Sequence, residues 1–118
     1  MQFNKFPGNN GAYGIRRDEG PRQLVGGMVA SQYARSEDTN NTFSLTLLTG
    51  AEGAGLPLMR HGQSHVGLYV MDGAIELVLG EKFFRLEKGD YASIPEGTKY
   101  GLRMDRVRNV VLVLQTGG

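Results

Sequence analysis

Glycine is the feature of this sequence that most limits its fold. The chain of 118 residues contains 18 glycines, and they are spread along it rather than gathered in a repeat. No window of a dozen residues keeps a helical period of 3.6 without a glycine, so the pattern excludes long amphipathic helices. Short β-branched and aromatic runs lie between the glycines. The sequence therefore predicts an all-β domain of short strands joined by turns.

Alternating polar and apolar residues locate the strands. Residues 42–47 alternate, and residues 68–70, 75–79, 83–86 and 91–94 continue the pattern. Turn signals separate these runs at Asp72-Gly73, Gly80-Glu81, residues 88–90 and residues 95–97. Residues 110–114 are apolar on both faces, so this strand is expected to be covered on both sides, with a second subunit of a homodimer as one candidate cover.

Length and composition restrict the function. We predict one domain over residues 21–118, preceded by an N-terminal arm over residues 1–20. The absence of cysteine excludes disulfides, thiol nucleophiles and thiolate metal sites, and His61 and His65 are too few for a three-histidine site within one chain. A net charge of +1 gives no drive toward nucleic acid or an anionic membrane. Neither a membrane-spanning run nor a secretory signal is recognised, so a cytoplasmic protein is expected.

Glycines recur at a spacing that carries further information. Gly53 is followed by Met59 and His61, then by Val66, and then by Gly73. A second set runs from Gly89 through Pro95 and Gly97 to Tyr100 and Met104. In both sets the spacing and the glycine and proline positions resemble the two signature motifs of the cupin superfamily. Within this superfamily the sequence is most similar to one half of a quercetin 2,3-dioxygenase. The resemblance implies a single cupin jelly-roll β-barrel.

The resemblance also identifies what this chain lacks. Cupins bind a metal through three histidines and a glutamate, and these positions fall here on Met59, His61, Val66 and Tyr100. Only His61 keeps the residue type of the family. His65 is displaced by one residue from Val66, and such a shift moves a side chain to the other face of a strand. We therefore expect no metal cofactor, with copper at His61 as the alternative.

The remaining candidate site is organic. The resemblance places His61 and Tyr100 at converging positions, where they are predicted to act as general base and as proton donor. Apolar residues are expected to form the rest of a pocket for a small aromatic molecule: Phe43, Leu45, Met59, Val66, Leu68 and Met104.

Three functions remain open on the sequence alone. The first is a metal-independent enzyme that isomerises, dehydrates, cyclises or decarboxylates an aromatic, polyphenolic or polyketide-like compound. The second is a non-catalytic ligand-binding or structural barrel. The third is a quercetinase-like dioxygenase with atypical metal ligands.

Overall fold

The computed structural model describes residues 11–17, 19–60 and 64–116, with residues 59 and 60 described as backbone. Almost all of this part of the chain is strand or turn, and its one helical element is a short 3-10 helix over Ser36–Thr39. The ten strands are β1 Arg22–Val25, β2 Met28–Ala34, β3 Phe43–Gly50, β4 Gly55–Arg60, β5 His65–Asp72, β6 Ala74–Leu79, β7 Lys82–Glu87, β8 Tyr91–Ile94, β9 Lys99–Met104 and β10 Asn109–Thr116. The all-β prediction is confirmed.

The strands form two antiparallel sheets. One has six strands in the order β1-β2-β3-β10-β5-β8, and the other has four in the order β4-β9-β6-β7. Several neighbours, such as β3 and β10 in the larger sheet and β4 and β9 in the smaller one, come from distant parts of the sequence, as in a jelly roll. Within the described residues no backbone pairing closes the two sheets into one continuous barrel. No described helix has the length and hydropathy needed to cross a membrane.

The core lies between the two sheets, because strands from both place alternate side chains there. On β5 of the larger sheet Val66 and Leu68 are buried, and on β9 of the smaller sheet Tyr100, Leu102 and Met104 are buried. The intervening side chains are turned outward: Tyr69 on β5 is exposed. Three of the residues predicted to line a substrate pocket, Val66, Leu68 and Met104, are thus buried in this core, and their role in substrate binding stays a prediction.

The two faces of the last strand, β10, differ in how far they are buried. Val111 on β10 is fully buried, whereas Leu114 on the outer face is 41% exposed. The outer face of this strand is therefore only partly covered within one chain, and coverage by a second copy in a homodimer stays a prediction.

The described part of the N-terminal arm packs on the six-stranded sheet. Tyr13 Oη donates a hydrogen bond to the carbonyl oxygen of Tyr33 on β2, over 2.7 Å. Residues 1–10 and Asp18 lie outside the described residues. The division into an arm over residues 1–20 and a domain over residues 21–118 stays a prediction.

A buried asparagine ties the loop before β10 to both sheets. Asn109 is fully buried, and its Oδ1 accepts hydrogen bonds from the backbone N–H groups of Ala74 and Arg106, each over 3.0 Å. Its Nδ2 donates to the carbonyl oxygens of Gly50, over 3.1 Å, and Arg106, over 2.8 Å. One side chain thus satisfies four backbone groups where β3, β6 and β10 meet.

Two of the predicted turns place glycine in the left-handed region. Gly73 has φ +76° and Gly97 has φ +81°, a conformation that glycine adopts at little cost. Their surroundings differ: a Cβ on Gly97 would meet nothing within 4 Å, whereas a Cβ on Gly73 would clash with the carbonyl oxygen of Arg108.

Alanine substitutions at these two glycines are expected to separate backbone strain from steric clash. Gly97→Ala should lower the free energy of unfolding by about 1 kcal/mol through strain alone. Gly73→Ala should lower it by about 3 kcal/mol or more, since the clash adds to the strain. Urea unfolding of both variants measures the difference. Equal losses would contradict the close packing of Gly73 against the loop before β10.

Candidate functional site

A cavity of about 340 Å³ lies between the two sheets. Its apolar lining comes from both sheets: Val25, Ala30, Leu48, Leu68 and Val113 on the larger one, and Leu56 and Leu102 on the smaller one. Tyr100 also lines it, from β9. A volume of this size is at the lower end of the range of about 300–1,000 Å³ that holds small ligands.

Among the described residues that line this cavity, Tyr100 is the one with a phenol. Its side chain is 3% exposed, and burial raises the pKa of its hydroxyl above the ordinary value of 10.0. The hydroxyl therefore stays protonated through neutral pH, because a buried phenolate would lose its hydration. Across the β4–β9 pair the backbone of Tyr100 faces that of Met59. Tyr100 thus adds a protonated phenol to the lining of a mostly apolar cavity.

The predicted pocket residues fall into three groups. Leu68 and Tyr100 line the cavity. Val66 and Met104 are buried in the core but are not among the residues that line the cavity, and Met104 packs beside Gly50. His61 lies outside the described residues, and Met59 is described only by its backbone, so their predicted roles stay predictions.

Phe43 and Leu45 lie on the other side of β3, contrary to the prediction. The residues of β3 that line the cavity are Thr46 and Leu48, and successive strand residues point to opposite faces. Leu45 instead lines a groove of about 560 Å³ on the outer face of the six-stranded sheet. The alternation was recognised in the sequence, but its inward face was assigned wrongly because β3 carries leucines on both faces.

His65 also faces outward, as the sequence predicted. It is exposed at the start of β5, and its Nε2 lies 2.6 Å from Ser93 Oγ on β8. Val66, the next residue, is buried in the core. His65 therefore does not approach the cavity between the sheets.

The family's metal-ligand positions offer few donors where their side chains are described. Val66 presents only hydrocarbon, and Tyr100 presents a protonated phenol. Among the described residues no three histidine, aspartate or glutamate side chains are grouped as metal ligands. These two residues do not fit a divalent first-row metal, which requires deprotonated or imidazole ligands.

Three polar residues of the cavity were not found from the sequence. Gln23 on β1, Thr46 on β3 and Gln115 on β10 line it from the six-stranded sheet. They belong to no motif, and only the strand register places them on one wall. In each strand these residues alternate with outward-facing ones. This alternation is the single sequence signal that could have located them, and it requires knowing which face of the strand points into the cavity.

Comparisons with known proteins agree with this architecture. Quercetin 2,3-dioxygenase of Bacillus subtilis (strain 168) is 41% identical over 96 residues, which are 81% of this chain and 28% of that protein. The chain thus spans less than a third of the length of this relative. The identity confirms the predicted similarity to the quercetin 2,3-dioxygenase type.

Solved structures share the fold at low identity. KdgF from Halomonas sp. superposes with a TM-score of 0.78 at 23% identity, over 91% of this chain and 95% of that one. The polyketide cyclase RemF from Streptomyces resistomycificus gives a TM-score of 0.74 at 20% identity, over 86% and 77%. Residues 46–114, more than half of the chain, match the cupin domain family. The two facing sheets, the two glycine-spaced motifs and this match together establish that the chain belongs to the cupin family.

Proposed function

We propose that this protein is a metal-independent enzyme that acts on an aromatic, polyphenolic or polyketide-like compound bound between its two sheets. The observation that carries the proposal is the cavity of about 340 Å³ whose mostly apolar lining includes the buried residue Tyr100, a phenol that burial keeps protonated. Flat ring systems suit such a wall, since leucine and valine side chains give apolar contact while a single polar group fixes orientation.

The proposed chemistry is acid–base catalysis. The hydroxyl of Tyr100 would donate a hydrogen bond to a carbonyl oxygen of the substrate and stabilise the negative charge that develops there. His61 is proposed as the base that removes a proton, on the strength of its position in the first cupin motif. This pair suffices for isomerisation, dehydration, cyclisation or decarboxylation, none of which needs a metal.

The names of two similar proteins support the ligand class. One relative is a quercetin dioxygenase, and one solved structure of the same fold is a polyketide cyclase. Both names refer to compounds rich in rings and oxygen atoms. The second candidate, a non-catalytic binding barrel, rests on the same cavity and differs only in the absence of turnover.

A cavity-filling variant with a matched control tests the site. Val113 lines the cavity, while Leu114, the next residue, is on the outer face. We expect Val113→Phe to weaken binding of quercetin at least about tenfold, since a ring placed in the cavity removes room for the ligand. Leu114→Phe should leave the affinity unchanged. Isothermal titration calorimetry measures both variants, and thermal melting confirms that both fold.

The outcomes separate the candidates. Turnover of bound compounds by chelator-treated protein, followed by mass spectrometry, supports the enzyme. Binding that Val113→Phe weakens, without any turnover, would establish the non-catalytic barrel instead. Equal affinities of the two phenylalanine variants would place the ligand elsewhere and contradict the proposed site.

A further inference from the structure

The polar residues of the cavity share one chemical property. Of the described residues that line it, none carries a charge, and the polar ones on the larger sheet are two amides and one hydroxyl: Gln23, Thr46 and Gln115. A carboxylate or phosphate ligand would therefore meet no described cation in this cavity. Transfer of an unpaired anion into such a site is costly, because its hydration is lost without replacement.

Exposure is graded along the cavity. Leu48, Leu68 and Leu102 are buried, Thr46 and Gln115 are half-buried, and Gln23 is exposed. Leu48, Leu68, Leu102 and Tyr100 thus form the floor, and the amides lie toward solvent. A ligand that fits this gradient has a hydrocarbon ring system at one end and hydrogen-bonding oxygens at the other.

The amide side chains can form hydrogen bonds with both carbonyl and hydroxyl oxygens. A glutamine side chain has two N–H donors and one carbonyl acceptor, so it pairs equally with a carbonyl and with a hydroxyl. Tyr100, on the opposite sheet, adds a protonated donor. The lining therefore suits a ligand that carries most of its neutral hydroxyl and carbonyl groups at the solvent end, with one further oxygen near Tyr100.

We infer that Gln23, Thr46 and Gln115 are specificity-determining residues that select uncharged, hydroxylated or carbonyl-bearing ring compounds and reject the corresponding carboxylates. Of the reactions proposed above, this selection leaves isomerisation, dehydration and cyclisation, because a decarboxylation would need a carboxylate substrate. This inference rests on the proposed function, since it concerns the same cavity. It adds the ligand's charge and orientation, which neither the cupin motifs nor the similar proteins' names specify.

Two probes with one skeleton test the selection. At neutral pH 2,3-dihydroxynaphthalene is uncharged and 2-naphthoate is an anion, and both have two rings. We expect wild-type protein to bind 2,3-dihydroxynaphthalene at least about tenfold more tightly than 2-naphthoate. Calorimetry with chelator-treated full-length chain measures both affinities.

A variant that should gain affinity for the anion provides a second test of the charge selection. Gln115→Lys places a cation at the half-buried amide and should raise the affinity for 2-naphthoate about fivefold or more, while that for 2,3-dihydroxynaphthalene falls. Thr116→Lys puts the same charge on the next residue of β10, which faces outward, and should change neither affinity.

The failures are distinguishable. If 2-naphthoate binds wild-type protein as tightly as 2,3-dihydroxynaphthalene and Val113→Phe weakens both, the site stands and the charge selection is wrong. The selection is also wrong if Gln115→Lys and Thr116→Lys behave alike. If neither probe binds, or Val113→Phe weakens neither, the proposed aromatic site itself fails.

Discussion

Replacing Tyr100 with phenylalanine is expected to lower kcat about 100-fold on an aromatic substrate, because the phenol supplies the proton or hydrogen bond in the transition state. The ring stays in place in this variant, so KM should change little. Steady-state kinetics on purified protein measures the two parameters. The phenol is 3% exposed and lines the cavity, so its loss acts directly on the bound compound.

Tyr91 provides the matched control. It is 60% exposed on β8, and Tyr91→Phe removes the same hydroxyl from the protein surface. This variant should retain wild-type kcat and KM. A loss of the same size in both variants, or none in Tyr100→Phe, would contradict the role of Tyr100 as proton donor.

The dependence on pH follows from the burial of Tyr100. Burial raises the pKa of its hydroxyl above 10.0, so the donor stays protonated through neutral and mildly alkaline pH. The same raised pKa contributes stability that is complete below about pH 10, the unfolded value, and is lost as the pH rises through the folded value. Tyr100→Phe should lack this alkaline component, which urea unfolding at several pH values would reveal.

Replacing Asn109 with leucine is expected to lower the free energy of unfolding by about 4 kcal/mol. The two side chains have similar size, so little of this effect comes from an empty space. The cost arises because four backbone groups lose their partner: the N–H of Ala74 in a buried position, and the N–H of Arg106 and the carbonyl oxygens of Gly50 and Arg106 in partly buried ones. Since a small domain is stable by only about 5–15 kcal/mol, the variant should lose between about a quarter and four-fifths of its stability.

Val107→Ala is the control for Asn109→Leu. Val107 lies in the same loop but is 91% exposed, so its truncation should change stability by less than about 0.5 kcal/mol. Thermal and urea unfolding measure both variants. A loss below about 1 kcal/mol for Asn109→Leu would show that solvent or neighbouring groups replace the four hydrogen bonds.

The sequence predicts most of the fold because strands and turns leave local signals. Glycine at Gly73 and Gly97 marked turns that require positive φ, and alternation placed Val66 inward and His65 outward. These features depend on nearest neighbours along the chain. They were therefore accessible without knowledge of how the strands pair.

The cavity wall was less accessible because it depends on the pairing of distant strands. β3 has leucines on both faces, so hydrophobicity alone did not show that Thr46 and Leu48 face the cavity while Leu45 faces the outer groove. Gln23 and Gln115 come from opposite ends of the sequence. They line the same cavity because the order of strands in the sheet brings β1 and β10 onto the same wall. A pattern of apolar residues also cannot identify a polar wall.

Metal content is the measurement that tests the central claim most directly. We propose that this cupin scaffold retains its cavity and performs acid–base chemistry through its own side chains. Elemental analysis of protein purified without chelator, paired with turnover before and after chelation, is predicted to find no transition metal in stoichiometric amount and the same turnover in both samples. A tightly held transition metal at one ion per chain, whose removal abolishes turnover and whose return restores it, would contradict the account.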